Sequence, residues 1–211
     1  PAREATSRAV EEIEAAGAEA TELGIPFSDP IADGPVIQAA AQRALNGGTT
    51  TRDMLTIARS IRSRSEIPLI AFSYLNPVMR YGVEKFATDA AEAGIDSVLL
   101  TDLPPEAATE FRATMHAKNL GTIFLLAPTS SAKRIALNDR PSVWFVYYVS
   151  KIGVTSLRRD IDQELLSRIT ELRITQQKTN PRGRVVAPPG TDEHFENRCE
   201  ASVVWRAQRP G

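Results

Sequence analysis

Three carboxylates are spread through one short stretch, Glu22-Leu23-Gly24-Ile25-Pro26-Phe27-Ser28-Asp29-Pro30-Ile31-Ala32-Asp33-Gly34-Pro35. Glu22 lies at the end of an apolar run, and Asp29 and Asp33 fall in the loop behind it. At the C-terminal edge of a parallel sheet, such a set can do acid and base work on a small substrate. Apolar surroundings raise a glutamate's pKa, and a carboxyl that is still protonated near neutral pH can act as a general acid. The same residues would also serve as a solvated strand-end carboxylate and an Asp-Pro turn whose side chains bond nearby backbone. Other chemistry is poorly supplied. One cysteine, Cys199, excludes an internal disulfide and a cysteine-rich metal site, and no metal ligands are assigned. The two histidines, His116 and His194, are far apart, and His116 falls near the end of a helical segment, where an imidazole suits the helix dipole.

The elements that must position these residues alternate. Residues 7–16 carry Val10, Ile13 and Ala16 at helical spacing, end at Gly17 and lead into an apolar strand over 20–25. The unit recurs at 83–93, with Phe86, Ala90 and Ala93 on one face, Gly94 as the stop and 97–101 as the next strand. Further strands are predicted at 68–72, 121–126 and 143–149, each continuously apolar and therefore buried on both faces. Helices are predicted at 51–62, 105–118, 131–137 and 161–172. Strands of this kind separated by helices make a parallel sheet, either a (β/α) barrel or a doubly wound sheet; periodicity does not choose between them.

The 211 residues and the formal net charge of -1 describe one globular domain with no basic footprint for nucleic acid. No apolar run approaches the ~18 residues of a membrane span, and no secretory leader opens the chain, which points to the cytoplasm. Beyond Leu172 the pattern gives way to polar and turn-forming residues. Residues 184–187 could be a brief strand, while 191–211 has no sustained period, with Val203, Val204 and Trp205 isolated in it. The reading is therefore an α/β domain over 1–172 and a poorly ordered tail over 173–211.

The stretch from Glu22 to Pro35, continuing into Val36-Ile37-Gln38, closely resembles the signature of the tryptophan synthase alpha chain family. Tyr74-Leu75-Asn76-Pro77, Gly82-Val83-Glu84-Lys85-Phe86, Asp102-Leu103-Pro104-Pro105-Glu106, Ile123-Phe124-Leu125-Leu126-Ala127-Pro128-Thr129 and the run from Phe145 to Thr155 follow in the family's order. The resemblance covers roughly residues 3–172. It implies a (β/α)8 TIM barrel and a lyase that cleaves indole-3-glycerol phosphate to indole and glyceraldehyde 3-phosphate in tryptophan biosynthesis. It further implies catalytic roles for Glu22 and Asp33, and substrate contacts for Tyr74, Leu99, Tyr147 and Thr155. Asp29 and Pro30 would face a beta chain in an αββα heterotetramer. The chain would have no cofactor of its own, pyridoxal phosphate belonging to the beta partner.

Against the family pattern, the first barrel strand and strands seven and eight, with their phosphate-binding turns, have no counterpart in this reading. Ser156 stands where a glycine is usual. An incomplete barrel is therefore expected, with open sheet edges. The alternative to an active lyase is a catalytically incomplete remnant that only binds the beta chain.

Overall fold

Helix and strand alternate through the computed structural model, which describes residues 2–18, 20–126, 145–148, 184–186 and 201–204. Helix α1 (Ala2–Ala15) delivers strand β1 (Ala20–Gly24); α2 (Pro35–Asn46) and α3 (Thr51–Arg62) precede β2 (Leu69–Ser73). Then follow α4 (Leu75–Tyr81), α5 (Val83–Glu92), β3 (Ser97–Leu100), a single 3-10 turn (Pro105–Ala107), α6 (Thr109–His116) and β4 (Gly121–Ile123). The remaining strands are β5 (Leu125–Leu126), β6 (Phe145–Tyr148), β7 (Arg184–Val186) and β8 (Ala201–Val204). Strands β1 to β4 are parallel neighbours in chain order, the arrangement right-handed βα units generate. A second sheet has the order β5-β6-β7, also parallel.

Local sequence accounts for the helix ends. Thr50 and Asp53 form a reciprocal capping box at the start of α3, whose apolar stripe of Met54, Leu55, Ala58 and Ile61 is buried. Strand alternation sends Leu23, Leu69, Ala71, Val98 and Leu100 outward into one core with Val10, Leu55, Ile61, Phe86 and Met115. The opposite face carries a smaller cluster of Ala20, Ile70, Leu99 and Ile123. Glu22 shares that inner face, in a register row with Ile70, Ser97 and Gly121. Gly121 is required there, because a Cβ would lie 2.4 Å from the Ser97 hydroxyl.

The N-terminal ends of the strands are clamped. The Arg62 guanidinium donates to the Gly94 and Ser65 carbonyls and pairs with Asp96 at 2.7 Å, and Asp96 accepts from the Leu69 amide at 2.8 Å. Gly94 has φ +80°, and a Cβ on it would come within 2.6 Å of the Arg62 side chain.

Several sequence expectations change. Helices α2 and α4 fall where only loop and motif were read. Pro35 at the first position of α2, with Ile37, Ala40, Ala41 and Ala44 at helical spacing, supplies the missed signal. The strand expected over 121–126 is broken at Phe124, whose side chain is buried in the outer core while Leu125 packs on the inner cluster. Two strands fall within residues 173–211. The brief strand at 184 forms and pairs parallel with β6, and Val203 and Val204 are not isolated but belong to β8. This last strand runs antiparallel along the edge of β1, with Ser202 opposite Glu22, so the edge expected to be open is paired. The helices predicted at 131–137 and 161–172 lie outside the described residues. Among the described residues, no helix is long and apolar enough to cross a membrane.

Candidate active site

Glu22 sits in the middle of β1 rather than at its end, and its side chain is only 3% exposed. Alternation turns it to the inner face, with Ile70 beside it in its own row and Phe72, Leu99 and Ile123 in the next inward-facing row. Among the described residues its Oε1 has no hydrogen-bond partner. Burial without a partner pushes the carboxyl up to about 8, so it holds its proton at neutral pH. A carboxyl that keeps its proton at neutral pH on a strand is of the kind that can serve as a general acid.

Asp33 comes from the turn between β1 and α2. Its amide donates to the Pro30 carbonyl at 3.1 Å, closing the turn. Gln38 on α2 donates back to the Asp33 and Pro30 carbonyls, at 2.9 and 3.3 Å, so helix and loop are tied together. The Asp33 side chain is buried, which raises its pKa, while a hydrogen bond with the Tyr74 hydroxyl works in the opposite direction.

Tyr74 follows the end of β2 and is 3% exposed. Its hydroxyl accepts from the Ala32 amide at 3.0 Å, and its ring lies 5.2 Å from that of Phe27. Burial pushes the phenol up to about 12, so it remains a neutral donor. The next amide, Leu75, donates to Asp102 at 2.7 Å, fixing the start of α4 to the loop after β3. Tyr74, expected to line a substrate pocket, thus also holds the loop that carries Asp33. Leu99 is fully buried on the inner face, in the cluster with Ile70 and Ile123. Tyr147 lies on β6 opposite Leu125; Thr155 falls outside the described residues. Asp29 is exposed and Pro30 half-buried, and the adjacent Ile31 is 87% exposed.

A cavity of about 100 Å³ opens between this loop, α2 and the ends of β1 and β2. Asp33 and Tyr74 are in its wall with Ile37, Ala40, Ala41 and Phe72, whereas Glu22 and Leu99 are not. The site therefore brings together Asp33 and Tyr74 at the strand ends, with Glu22 two residues before the end of β1 on the inner face. Sequence reasoning gave no role to Gln38, Ile37 or Phe72, since the helix that places two of them was not read. Among the described residues, no group of His, Cys, Asp and Glu could hold a metal ion.

Residues 1–201 match the sequence pattern of a family described as tryptophan synthase alpha chain. The chain belongs to the tryptophan synthase alpha chain family. A tryptophan synthase alpha chain from Solibacter usitatus is 46% identical over 207 residues, covering 98% of this chain and 78% of that protein. One from Geobacter sp. strain M21 is 46% identical over 168 residues, and there the match spans 80% of this chain and 63% of the relative. Among solved structures, a tryptophan synthase a2b2 complex from Pyrococcus furiosus matches with a TM-score of 0.74 and 31% identity, over 88% of this chain and 82% of that one. The chain thus spans between under two thirds and about four fifths of the proteins it matches, and the family match runs past Leu172 to residue 201. As tryptophan synthase alpha family members are TIM barrels, β1 to β4 with their helices form part of such a barrel.

Proposed function

We propose that this chain is a lyase that cleaves indole-3-glycerol phosphate to indole and glyceraldehyde 3-phosphate. One observation carries the reading: a proton-holding Glu22 buried on the inner face of β1, followed in the next loop by an Asp33 that Tyr74 and Gln38 hold in place.

The reaction is a retro-aldol cleavage, and its proton balance closes on these two carboxyls. Glu22 delivers its proton to indole C3, which makes the ring the electron-accepting indolenine form. Asp33, as the carboxylate, accepts the N–H and stabilises the positive charge spread over the ring. The Glu22 carboxylate then takes the proton from the glycerol hydroxyl next to the bond being broken. The carbon–carbon bond breaks, its electrons return to the indole ring, and the hydroxyl carbon becomes the aldehyde. Glu22 ends protonated, as it began, and no cofactor of this chain is consumed. A strand residue gives the acid a fixed position, and a loop residue lets the base close over the ring once substrate is present. Leu99, Tyr147, Tyr74 and Thr155 are the residues assigned to contact the substrate in this reading.

The partner in this reading is a tryptophan synthase beta chain carrying pyridoxal phosphate, in an αββα assembly located in the cytoplasm. The exposed loop at Asp29, Pro30 and Ile31 supports it, since it puts a large apolar side chain into solvent on the same loop that carries Asp33. Domain limits at 1–172 and 173–211 belong to the same proposal, with the site entirely in the first part.

The test is indole release from indole-3-glycerol phosphate by the 211-residue chain, with and without a beta chain, beside Glu22→Gln. Release that depends on Glu22 is the expected result. Beta-chain binding without release, from folded protein, would overturn the lyase and leave the incomplete remnant that only binds its partner.

A further inference from the structure

The Tyr74 hydroxyl joins three successive strand ends. It accepts from the Ala32 amide, in the turn after β1, at 3.0 Å, and it donates to the Asp33 carboxylate of the same turn. Its oxygen also accepts from the hydroxyl of Thr101, the first residue after β3. A phenol has one proton to give, and here the carboxylate takes it, while the oxygen takes the two donors. The other acceptor within reach of the Thr101 hydroxyl is the Ser73 carbonyl, at 3.4 Å. That is longer than the usual limit of about 3.0 Å between a hydroxyl and its acceptor. The same carbonyl already accepts from the Thr101 amide at 3.0 Å. Next to Thr101, Asp102 accepts from the Leu75 amide at 2.7 Å. Two consecutive residues after β3 therefore brace two consecutive residues after β2, and Tyr74 in turn holds the turn that carries Asp33.

Resting on the lyase reading above, we propose that Thr101 is a positioning residue for Asp33, acting through the Tyr74 hydroxyl, whose proton it keeps aimed at the carboxylate. With Thr101 and Ala32 both donating to its oxygen, the hydroxyl has no reason to turn its proton toward either, and Asp33 is the acceptor left. Accepting from Thr101 also polarises the O–H and strengthens the bond it donates. A hydrogen bond to the charged form favours that form, so the relay opposes the burial that favours the protonated acid. The other titratable or charged groups on the elements around Asp33 are Glu22 on β1, Asp29 in its own turn, Arg43 in the last turn of α2 and Asp102 after β3. Asp29 is engaged by Ser28 and Asp102 by the Leu75 amide, and the side chain that bonds Asp33 is Tyr74.

The experiment removes the Thr101 hydroxyl while keeping the shape of the side chain, in Thr101→Val, and restores it in Thr101→Ser. Both are compared with Tyr74→Phe, alone and combined with Thr101→Val. Turnover of indole-3-glycerol phosphate by Thr101→Val should fall about fivefold, the scale of one neutral hydrogen bond, with KM within about twofold. The acid limb of kcat/KM, set by Asp33, should move up by about half a pH unit, while the alkaline limb set by Glu22 stays. Thr101→Ser should return both turnover and limb. In the Tyr74→Phe background, Thr101→Val should move the limb no further, because the relay is already cut. An acid limb unmoved in Thr101→Val, or moved equally in the Tyr74→Phe background, would overturn the inference. If the unaltered chain releases no indole, the lyase reading fails, and carbon-13 NMR titration of the Asp33 carboxyl, assigned with Asp33→Asn, still decides the role of Thr101. A rise in Thr101→Val that Thr101→Ser reverses supports the relay; an unchanged titration overturns it. Should Thr101→Val not fold, Thr101→Ala carries the same comparison with the same outcomes.

Discussion

The two ends of the same parallel strands are built on opposite terms. At the N-terminal ends, Arg62 and Asp96 satisfy one another and three backbone groups, at Gly94, Ser65 and Leu69, and neither side chain is more than a third exposed. Toward the C-terminal ends, Glu22 is buried deeper than either of them and has an oxygen with no partner among the described residues. One end is closed electrostatically, which stabilises the sheet. The other keeps a carboxyl in surroundings that favour its neutral form, a condition that lowers stability at high pH and supplies a proton donor at neutral pH.

The largest effect expected from breaking this contrast is at Glu22. Replacement by glutamine should reduce indole release by about a thousandfold or more, because the carboxyl assigned to deliver the proton is gone. Stability should move the other way. The folded-state pKa of about 8 lies above the ordinary value of 4.5, so the folded chain retains a proton that the unfolded chain has lost between those values. The contribution of Glu22 is thus full below pH 4.5 and disappears as the pH rises through about 8. Denaturant midpoints of the two proteins should be similar near pH 5, with Glu22→Gln the more stable at pH 9. A gap that does not grow with pH would mean the carboxyl is not held neutral by folding.

At the other end, Asp96→Ala should lower stability by about 3 kcal/mol, since it strands a partly buried guanidinium and the Leu69 amide together. Indole release per folded molecule should change little. A loss of activity at full stability would show that the two ends are not separable.

The smallest effect is expected for Tyr74→Phe, which keeps the ring against Phe27 and removes the hydroxyl from Ala32 and Asp33. Stability should fall by about 1 kcal/mol and turnover by about tenfold. The hydrogen bond favours the ionised form of Asp33, so the acid limb of the pH–rate profile should move to higher pH without it. An unmoved acid limb would sever Tyr74 from Asp33.

The elements and the two carboxyls of the site were legible in the residues, but not the contrast itself. The alternation of helix and strand, the bounds of α3 and the pairing of Glu22 with Asp33 in one stretch were all readable, because long amphipathic periods and carboxylates in an Asp-Pro motif leave strong signals. The depth of Glu22 was not readable. A glutamate in the middle of a five-residue strand looks the same whether its face meets solvent or the inner cluster of Ile70 and Leu99, and only the sheet partners decide. Helix α2 was hidden for a different reason: three of its inward positions are alanines, which satisfy a helical stripe without standing out as apolar. Tyr74 was expected as pocket lining, and its hold on Ala32 depends on a contact between residues 42 positions apart. The clamp of Arg62 and Asp96 spans 34 positions and gives no local signal either.

Strand β8 has a consequence for how the molecule is made. Its pairing with β1 joins residues 20–23 to residues 201–204, among the longest sequence separations the chain allows. Ribosomes add about 5–20 residues per second, so the outer edge of β1 waits roughly 10 to 35 s for its partner to be synthesised. An uncovered strand edge is a template for other chains throughout that interval. Nascent chains ending at residue 200 should therefore aggregate faster than the 211-residue chain under the same conditions, and equal aggregation would mean the edge is guarded before β8 arrives. In cells the yield of this protein would then be set less by its final stability than by the company it keeps while it is being translated.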